Sequence, residues 1–438
     1  MVDKELSKQF FDMLQESQWW SPEQLKTYQR SQLAQLLRHA RSNVPFYAGR
    51  LDAVFKRNGD IDWDRWAEIP IVKRQDVVDH GDDMLAQVLP KGHEALTVAT
   101  TSGTSGVAIT LTSTQIAHVA LNGNRFRYYR WHNIDWTEIV CSMVPGEPSV
   151  APWPDGEMGG AWGPAWDPDS IDGMMLRINR ATSVENTLEF LERKRPAYLT
   201  TGVNRAYALA ITAKRVGVNL RLRAFLPHGT SVGDRARDAI FSAFGAPSID
   251  LYSSKEAGHI AHLCPSGSGL HVNAESMLLE IVDEAGLPVG PGQQGRVVIT
   301  PLFNAAQPLI RYDQGDFAAW GPACSCGRRL PVLTRLIGRS TTVFYHPDGR
   351  VASSFLGVHR HLLNCEMWQV AQTGPTSFEV RYVPLDPEVP GDEAALAARI
   401  RELYFPDAQV TFRRVDEIPV EDFGKPREYV NEWMPADG

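Results

Sequence analysis

The sequence predicts an α/β protein: a large N-terminal body of βαβ sheets plus an antiparallel β subdomain, followed by a small α+β C-terminal domain. Three patterns predict it. Between 139 and 249, short apolar runs (139–144, 197–201, 222–226) alternate with helix-spaced stretches (184–194, 206–216, 234–244), the rhythm of parallel strands joined by crossovers. Two apolar runs between 277 and 302 flank the turn Gly286-Leu287-Pro288 and read as an antiparallel pair. After 343, three strand-like runs (368–371, 378–383, 410–415) and a helical stretch (393–403) make a small mixed unit. With 438 residues the chain exceeds one ordinary core, so two or three domains are expected.

Composition narrows the function. A net charge of -8 argues against nucleic acid or an acidic membrane face as partner, since both require basic patches. There is no apolar run long enough to span a bilayer, and the polar start lacks a secretory core. Five cysteines without a secretory pattern place the chain in a reducing cytoplasm, where cysteine clusters read as metal or catalytic groups before disulfides.

In chain order, 21–51 has helical spacing and ends in Val44-Pro45-Phe46-Tyr47, a helix followed by an extended proline segment. The stretch Ile69-Pro70-Ile71-Val72-Lys73-Arg74 is a second join of this kind, and both read as structural. Next comes Thr100-Thr101-Ser102-Gly103-Thr104-Ser105-Gly106, after a short β-like run (95–99) and before helical spacing from Ile116, hence a strand-to-helix turn. Its glycines, hydroxyls and backbone N–H groups suit a phosphate; a flexible connector is the plain alternative. No Gly-Lys-Ser/Thr follows, so it is not a Walker loop. The segment 148–166, rich in Gly, Pro and Trp, reads as an apolar pocket wall or as an ordinary surface loop.

Gly229-Thr230-Ser231-Val232-Gly233 matches G-x-S-x-G between a strand and a helix, which keeps a serine hydrolase using Ser231 open. Leu251-Tyr252-Ser253-Ser254-Lys255-Glu256 sets a carboxylate in a small-residue turn, a magnesium ligand if phosphate lies nearby. In Arg311-Tyr312-Asp313-Gln314-Gly315-Asp316, the last aspartate can accept a ribose diol or cap a turn. Cys264, His271, Cys324 and Cys326 supply four soft or borderline ligands for a closed zinc site, with His259 or His262 as substitutes. Cys141 and Cys365 read as buried, inert thiols.

In this order, residues 101–106, 252–256, 312–316, Arg335-Leu336-Ile337-Gly338-Arg339 and Gly424-Lys425-Pro426-Arg427 resemble the motif set of adenylate-forming enzymes. The joins at 44–47 and 69–77 are similar to the N-terminal region of the phenylacetate-CoA ligase group. The resemblance covers almost the whole chain. It implies an adenylation domain over 1–338, a hinge at 339–342 and a mobile lid domain over 343–438. It implies that Thr101, Ser102, Gly103, Thr104, Ser105 and Gly106 hold the β- and γ-phosphates of ATP, and that Glu256 binds Mg²⁺. Tyr252 and Ser253 would sit by the adenine and α-phosphate, with His228, Gly229 and Thr230 at the adenine. Asp316 would take the ribose, helped by Arg335, and Lys425 would be the mobile catalytic lysine.

The implied reaction is ATP-dependent activation of a hydrophobic or aryl carboxylic acid to an acyl-adenylate, with pyrophosphate released and the acyl group passed to CoA. Its partners would be small molecules: the acid and the acyl acceptor, with a homodimer compatible. Four departures stand out. Val107 replaces the family's usual Lys after the loop, Lys255 its Thr before the glutamate, and Thr341 its Asp or Lys in the hinge. Residues 344–350 lack the Arg-Gly-Asn-like loop that aids thioester formation, so transfer to an amine stays open beside transfer to CoA. A non-catalytic nucleotide-binding relative is the third class.

Overall fold

A computed structural model describes residues 3–100, 109–144, 147, 149–180, 182–229, 232–267, 269–337, 343–347, 351–353, 362–386, 388–418 and 428–433. The chain opens with α1 (Lys4–Ser17) and α2 (Pro22–Asn43), started by Asp3 and Ser21, whose side chains accept N–H groups of Leu6 and Gln24. α2 stops short of 51 because Val44 precedes a proline and is held extended. Pro45–Tyr47 is then a 3₁₀ turn, not extended chain, since proline's φ suits a first helical turn. In the second join, before α3 (Arg74–Asp79), Val72 bridges Tyr312 as a short parallel pairing.

β1 (Leu96–Thr100) pairs antiparallel with β2 (Thr110–Thr114), Thr100 opposite Thr110, and α4 (Gln115–Trp131) begins only after β2. The Gly-rich segment thus joins two strands of a hairpin, which corrects the strand-to-helix expectation. The overlooked signal was the short, threonine-rich run 110–114. Residues 101–106 themselves lie outside the described residues.

The expected parallel sheet is present. β3 (Val140–Val144), β4 (Glu157–Ala161), β5 (Met174–Asn179), β6 (Tyr198–Gly202) and β7 (Ala224–His228) stand in the order β4-β5-β3-β6-β7. Only the edge pair β4–β5 is antiparallel. Its helices are α5 (Val184–Lys194), α6 (Val203–Val216) and α7 (Asp234–Phe244). Segment 148–166 supplies β4, and two of its tryptophans pack inward. Trp162 donates to the Glu138 carbonyl at 2.7 Å, and the Trp166 ring centroid lies 5.2 Å from that of Phe126 and 5.5 Å from that of Phe11. These two rings pack into core, whereas the third tryptophan of the segment, Trp153, is 41% exposed.

The second sheet holds β8 (Leu251–Ser254), β9 (Gly258–Leu263), β10 (Leu270–Val272), β11 (Met277–Val282), β12 (Gln294–Pro301), β13 (Tyr312–Trp320) and β14 (Val332–Ile337). It is antiparallel throughout, in the order β11-β12-β13-β14-β10-β9-β8. A parallel bridge between Phe225 and Ser248 draws the chain entering β8 beside β7.

β15 (Val343–Tyr345), β16 (Val351–Ser353), β17 (Cys365–Gln372), β18 (Ser377–Pro384), α8 (Glu393–Leu403), β19 (Gln409–Arg414) and β20 (Tyr429–Asn431) complete the chain. Four of these strands form a sheet, β19-β18-β17-β20, with its own apolar cluster of Phe344, Trp368, Val370, Phe378, Val380, Leu396 and Ile400. The α+β expectation for this part is met. Among the described residues, no helix is long and apolar enough to cross a membrane.

A buried ion pair ties α1 and α4 to the 273–276 turn. Arg127 donates to both Glu275 oxygens, at 2.6 and 3.1 Å, and to Asn273 Oδ1 at 2.7 Å; Ser17 Oγ donates to Glu275 at 2.6 Å. Both charged side chains are fully buried. α1 approaches α4 at Gly123, where a Cβ would stand 2.5 Å from Phe10 Cδ1, so any side chain there would push the helices apart.

Candidate active site

The site is built where the edge strand β8 faces a bulge in β13. Against β12, the β13 register jumps from Arg296↔Phe317 to Val298↔Asp313, so residues 314–316 bulge out. Gly315 sits at φ +74°, which a side chain would resist, and its N–H donates to Asp313 Oδ1 at 2.9 Å. The bulge aims Gln314 and Asp316 at β8. Tyr252 donates its hydroxyl to Asp316 Oδ2 at 2.6 Å, both residues buried, and Ser254 Oγ donates to Gln314 Oε1 at 3.2 Å. Asp316 therefore lies within a strand and does not cap a turn.

Past β8 the chain turns sharply, with Ala257 N–H donating to Ser254 Oγ at 3.1 Å, and the turn carries Lys255 and Glu256. The Lys255 ammonium donates to the carbonyl of Thr100, the last residue of β1. The Glu256 carboxylate, 3% exposed, accepts from Arg74 Nη1 at 3.3 Å. Three separately read stretches thus meet: the stem of the Gly-rich loop, 252–256 and 312–316. Arg74 belongs to the join read as purely structural. Its basic pair Lys73-Arg74 was the available signal, but nothing local showed that it would cross 182 positions to Glu256.

The other expected site residues divide. His228 ends β7, with Gly229 next at φ +88°, near where β8 enters; the His228 side chain is exposed. Ser253 is exposed and pairs with His259 in the β8–β9 ladder. Arg335 lies on β14 opposite Ala319, three residues along β13 from Asp316. Thr101 to Gly106, Thr230, Ser231 and Lys425 fall outside the described residues. The G-x-S-x-G segment does connect β7 to α7, and Val232 N–H donates to both Asp250 oxygens at 3.2 Å, where Arg237 also binds at 3.1 Å.

Arg311, in the same motif as Asp316, has a structural task. Its buried guanidinium binds Glu280 at 3.1 Å and the carbonyls of Ala67, Ile69 and Gly286 at 2.7–2.9 Å, locking the second join against the sheet.

A second constellation lies further along. Cys264, His271, Cys324 and Cys326 place their ligand atoms within 4.8 Å of one another. Cys264 and Cys324 sulfurs are 3.5 Å apart, and Cys326 Sγ is 3.3 Å from His271 Nε2. A tetrahedral zinc with Zn–S about 2.3 Å spaces its sulfurs about 3.8 Å, so the four groups fit one ion. His271 Nδ1 faces the Leu330 carbonyl at 3.4 Å, which leaves Nε2 toward the thiols. Burial lowers the His271 pKa, keeping the ring neutral as a ligand must be. His259 and His262, the named substitutes, instead pair with each other at 2.9 Å, and burial drives His259 down to about 3. Cys141 is buried, its thiol pushed up to about 12 by desolvation, and Cys365 is buried too.

No family model matches the chain. It is 25% identical over 334 residues to a phenylacetate-coenzyme A ligase of Thermus thermophilus, covering 73% of this chain and 71% of that one. In fold it is similar to a 2-hydroxyisobutyryl-CoA ligase solved in the postadenylation state with 2-HIB-AMP (TM-score 0.71, 19% identity, 93% and 90% of the two chains covered). It is also similar to an amide bond synthetase of Marinactinospora thermotolerans (TM-score 0.53, 17% identity, 78% and 69% covered). Motif order, fold and a sequence relative matched over most of its length point the same way: the chain is similar in sequence to a phenylacetate-coenzyme A ligase and in fold to a 2-hydroxyisobutyryl-CoA ligase.

Proposed function

We propose that the protein activates a hydrophobic or aryl carboxylic acid with ATP, forming an acyl-adenylate and pyrophosphate, and then passes the acyl group to CoA. One observation carries the reading: the Tyr252–Asp316 bond stands beside a turn whose two charged residues reach Thr100 and Arg74. Asp316 is suited to take a ribose diol in place of the Tyr252 hydroxyl, with Arg335 nearby on β14. His228, Gly229 and Thr230 would border the adenine, with Ser253 at the α-phosphate. Residues 101–106 would hold the terminal phosphates.

Glu256 fits Mg²⁺, which takes one or two carboxylates and completes its shell with phosphate oxygens and water. Bound there, the ion would neutralise charge on the leaving pyrophosphate. Carboxylate and polyphosphate repel, so a mobile Lys425 bridging the substrate carboxylate and the α-phosphate would supply the remaining charge. A lid over 343–438, hinged at 339–342, would keep water from the acyl-adenylate; the separate apolar core of that part supports this division.

The test is pyrophosphate release from ATP across a panel of carboxylic acids, then product analysis with CoA or with amines. Acid-dependent release supports the reading. Ester cleavage without ATP that is lost in Ser231→Ala would replace it with the hydrolase. Inactivity on every acid with retained nucleotide binding would favour a non-catalytic relative. Amide formation is the second acceptor reading, motivated by residues 344–350, which lack the loop that aids thioester formation.

The thiol-histidine cluster is assigned to a structural zinc that ties the strand after Glu256 to the loop after β13. Protein purified without chelator is expected to hold about one zinc per chain. Cys324→Ser should lose the metal and lower the unfolding midpoint, because metal affinity adds directly to folding free energy. Zinc well below stoichiometric in wild-type protein would refute the assignment.

A further inference from the structure

Arg125 lies on the face of α4 that also carries Leu121 and Tyr129. It is half-buried, and its Nε is shut off from water; among the described residues nothing accepts a hydrogen bond from it and no carboxylate pairs with it. The Nε atoms of Arg127 and Arg205 are also buried and unbonded, but those two guanidinia are held through their other nitrogens, by Glu275 and by Thr187. From 95 to 134 the chain contains neither aspartate nor glutamate, so α4 offers Arg125 no counter-charge. The guanidinium carbon stands 4.7 Å from the Phe126 ring centroid. Its charge is felt at two neighbours: after burial it is what holds the His259 pKa down, and it opposes the rise that burial imposes on Tyr129. Withdrawing a cation from water without a partner is costly, and such groups collect where function uses them.

The position of this cation relates it to the candidate site. Leu121 packs on Gly258, where an added Cβ would stand 2.9 Å from Leu121 Cδ1, and Gly258 follows Glu256 and Ala257 directly. α4 then runs along β9, with the Tyr128 and His262 ring centroids 4.7 Å apart and His132 Nε2 2.9 Å from the Leu263 carbonyl. Arg125 is thus about 6 Å further along α4 than the residue that touches the Glu256 turn. Its neighbour His259 bonds His262 through Nδ1 and leaves Nε2 unbonded among the described residues. We propose that Arg125 sets the enzyme's choice of acid, and that the preferred substrate carries a second carboxylate, held by this guanidinium, besides the one activated near Glu256. The proposal rests on the ligase reading above and narrows its substrate class to an apolar or aryl acid with two carboxylates. A carboxylate matches the planar fork of arginine with two parallel N–H···O bonds, and a site built for such a group rejects an acid that lacks it.

The experiment is pyrophosphate release from ATP with matched acids, phenylacetate against its ring-carboxylated forms and straight-chain monoacids against diacids of equal length. Full-length wild-type protein, Arg125→Met and Arg125→Lys are compared, with unfolding midpoints recorded. Wild type is expected to favour a diacid over its monoacid by about 10- to 100-fold in kcat/KM. Arg125→Met should abolish that preference and keep the monoacid within about threefold of wild type, and Arg125→Lys should retain part of the preference. The midpoint of Arg125→Met should not fall, because no bond is broken; a lowered midpoint with the preference intact would make the arginine structural and overturn the proposal. Wild type that favours the monoacid in every pair would overturn it and leave the ligase reading standing. So would equal losses on both acids in Arg125→Met, which would assign the arginine to the reacting carboxylate. A wild-type protein inactive on every acid would overturn both.

Discussion

Replacing Lys425 by alanine is expected to cut acid-dependent pyrophosphate release by about 100- to 1000-fold, the loss seen when one preorganised charge partner of a transition state is removed. The argument is electrostatic. A carboxylate approaching an α-phosphate builds negative charge, and the role proposed for Lys425 is to touch both reacting groups with an ammonium on a long stem. ATP binding measured at equilibrium should change little, because the lysine is assigned to the transition state and not to the resting nucleotide. Ser231→Ala should release pyrophosphate at close to the wild-type rate. A Lys425→Ala enzyme within tenfold of wild type would remove this lysine from the mechanism.

Arg127→Met is expected to destabilise the protein by about 3–5 kcal/mol, which lowers the unfolding midpoint by about 5 °C. Arg127 and Glu275 are both fully buried and bound through two N–H···O contacts, so the change strands a carboxylate without a counter-charge. Adding Glu275→Leu to Arg127→Met should restore part of the loss, since the larger penalty comes from the orphaned charge and not from absence of the pair. Thermal unfolding of the two single variants and the double variant decides it; additive losses would show that the two side chains do not act as a unit.

Much of the fold was legible in the chain. The helices at 184–194 and 234–244 match the expected bounds because an apolar stripe is a local property. The C-terminal unit was legible for the same reason. β2 was not: a short threonine-rich strand carries little apolar alternation, and its existence depends on pairing with β1. The tryptophans of 148–166 were equally ambiguous, because composition does not say whether an indole lines a cavity or fills a core. The Trp162–Glu138 hydrogen bond and the Trp166–Phe126 contact answer that for these two.

At the site, residue type and order named Tyr252, Glu256 and Asp316 together with the four zinc-ligand candidates. Those chemistries are scarce enough to show in sequence: a lone carboxylate in a small-residue turn, a cysteine pair one residue apart. Tertiary structure alone decided that Tyr252 holds Asp316, that Arg74 and not a neighbour in sequence answers Glu256, and that Lys255 reaches Thr100. Spacing along a chain reports geometry over a few residues, whereas these partners are set by sheet register and a bulge that bring segments 64 to 182 positions apart within hydrogen-bond range.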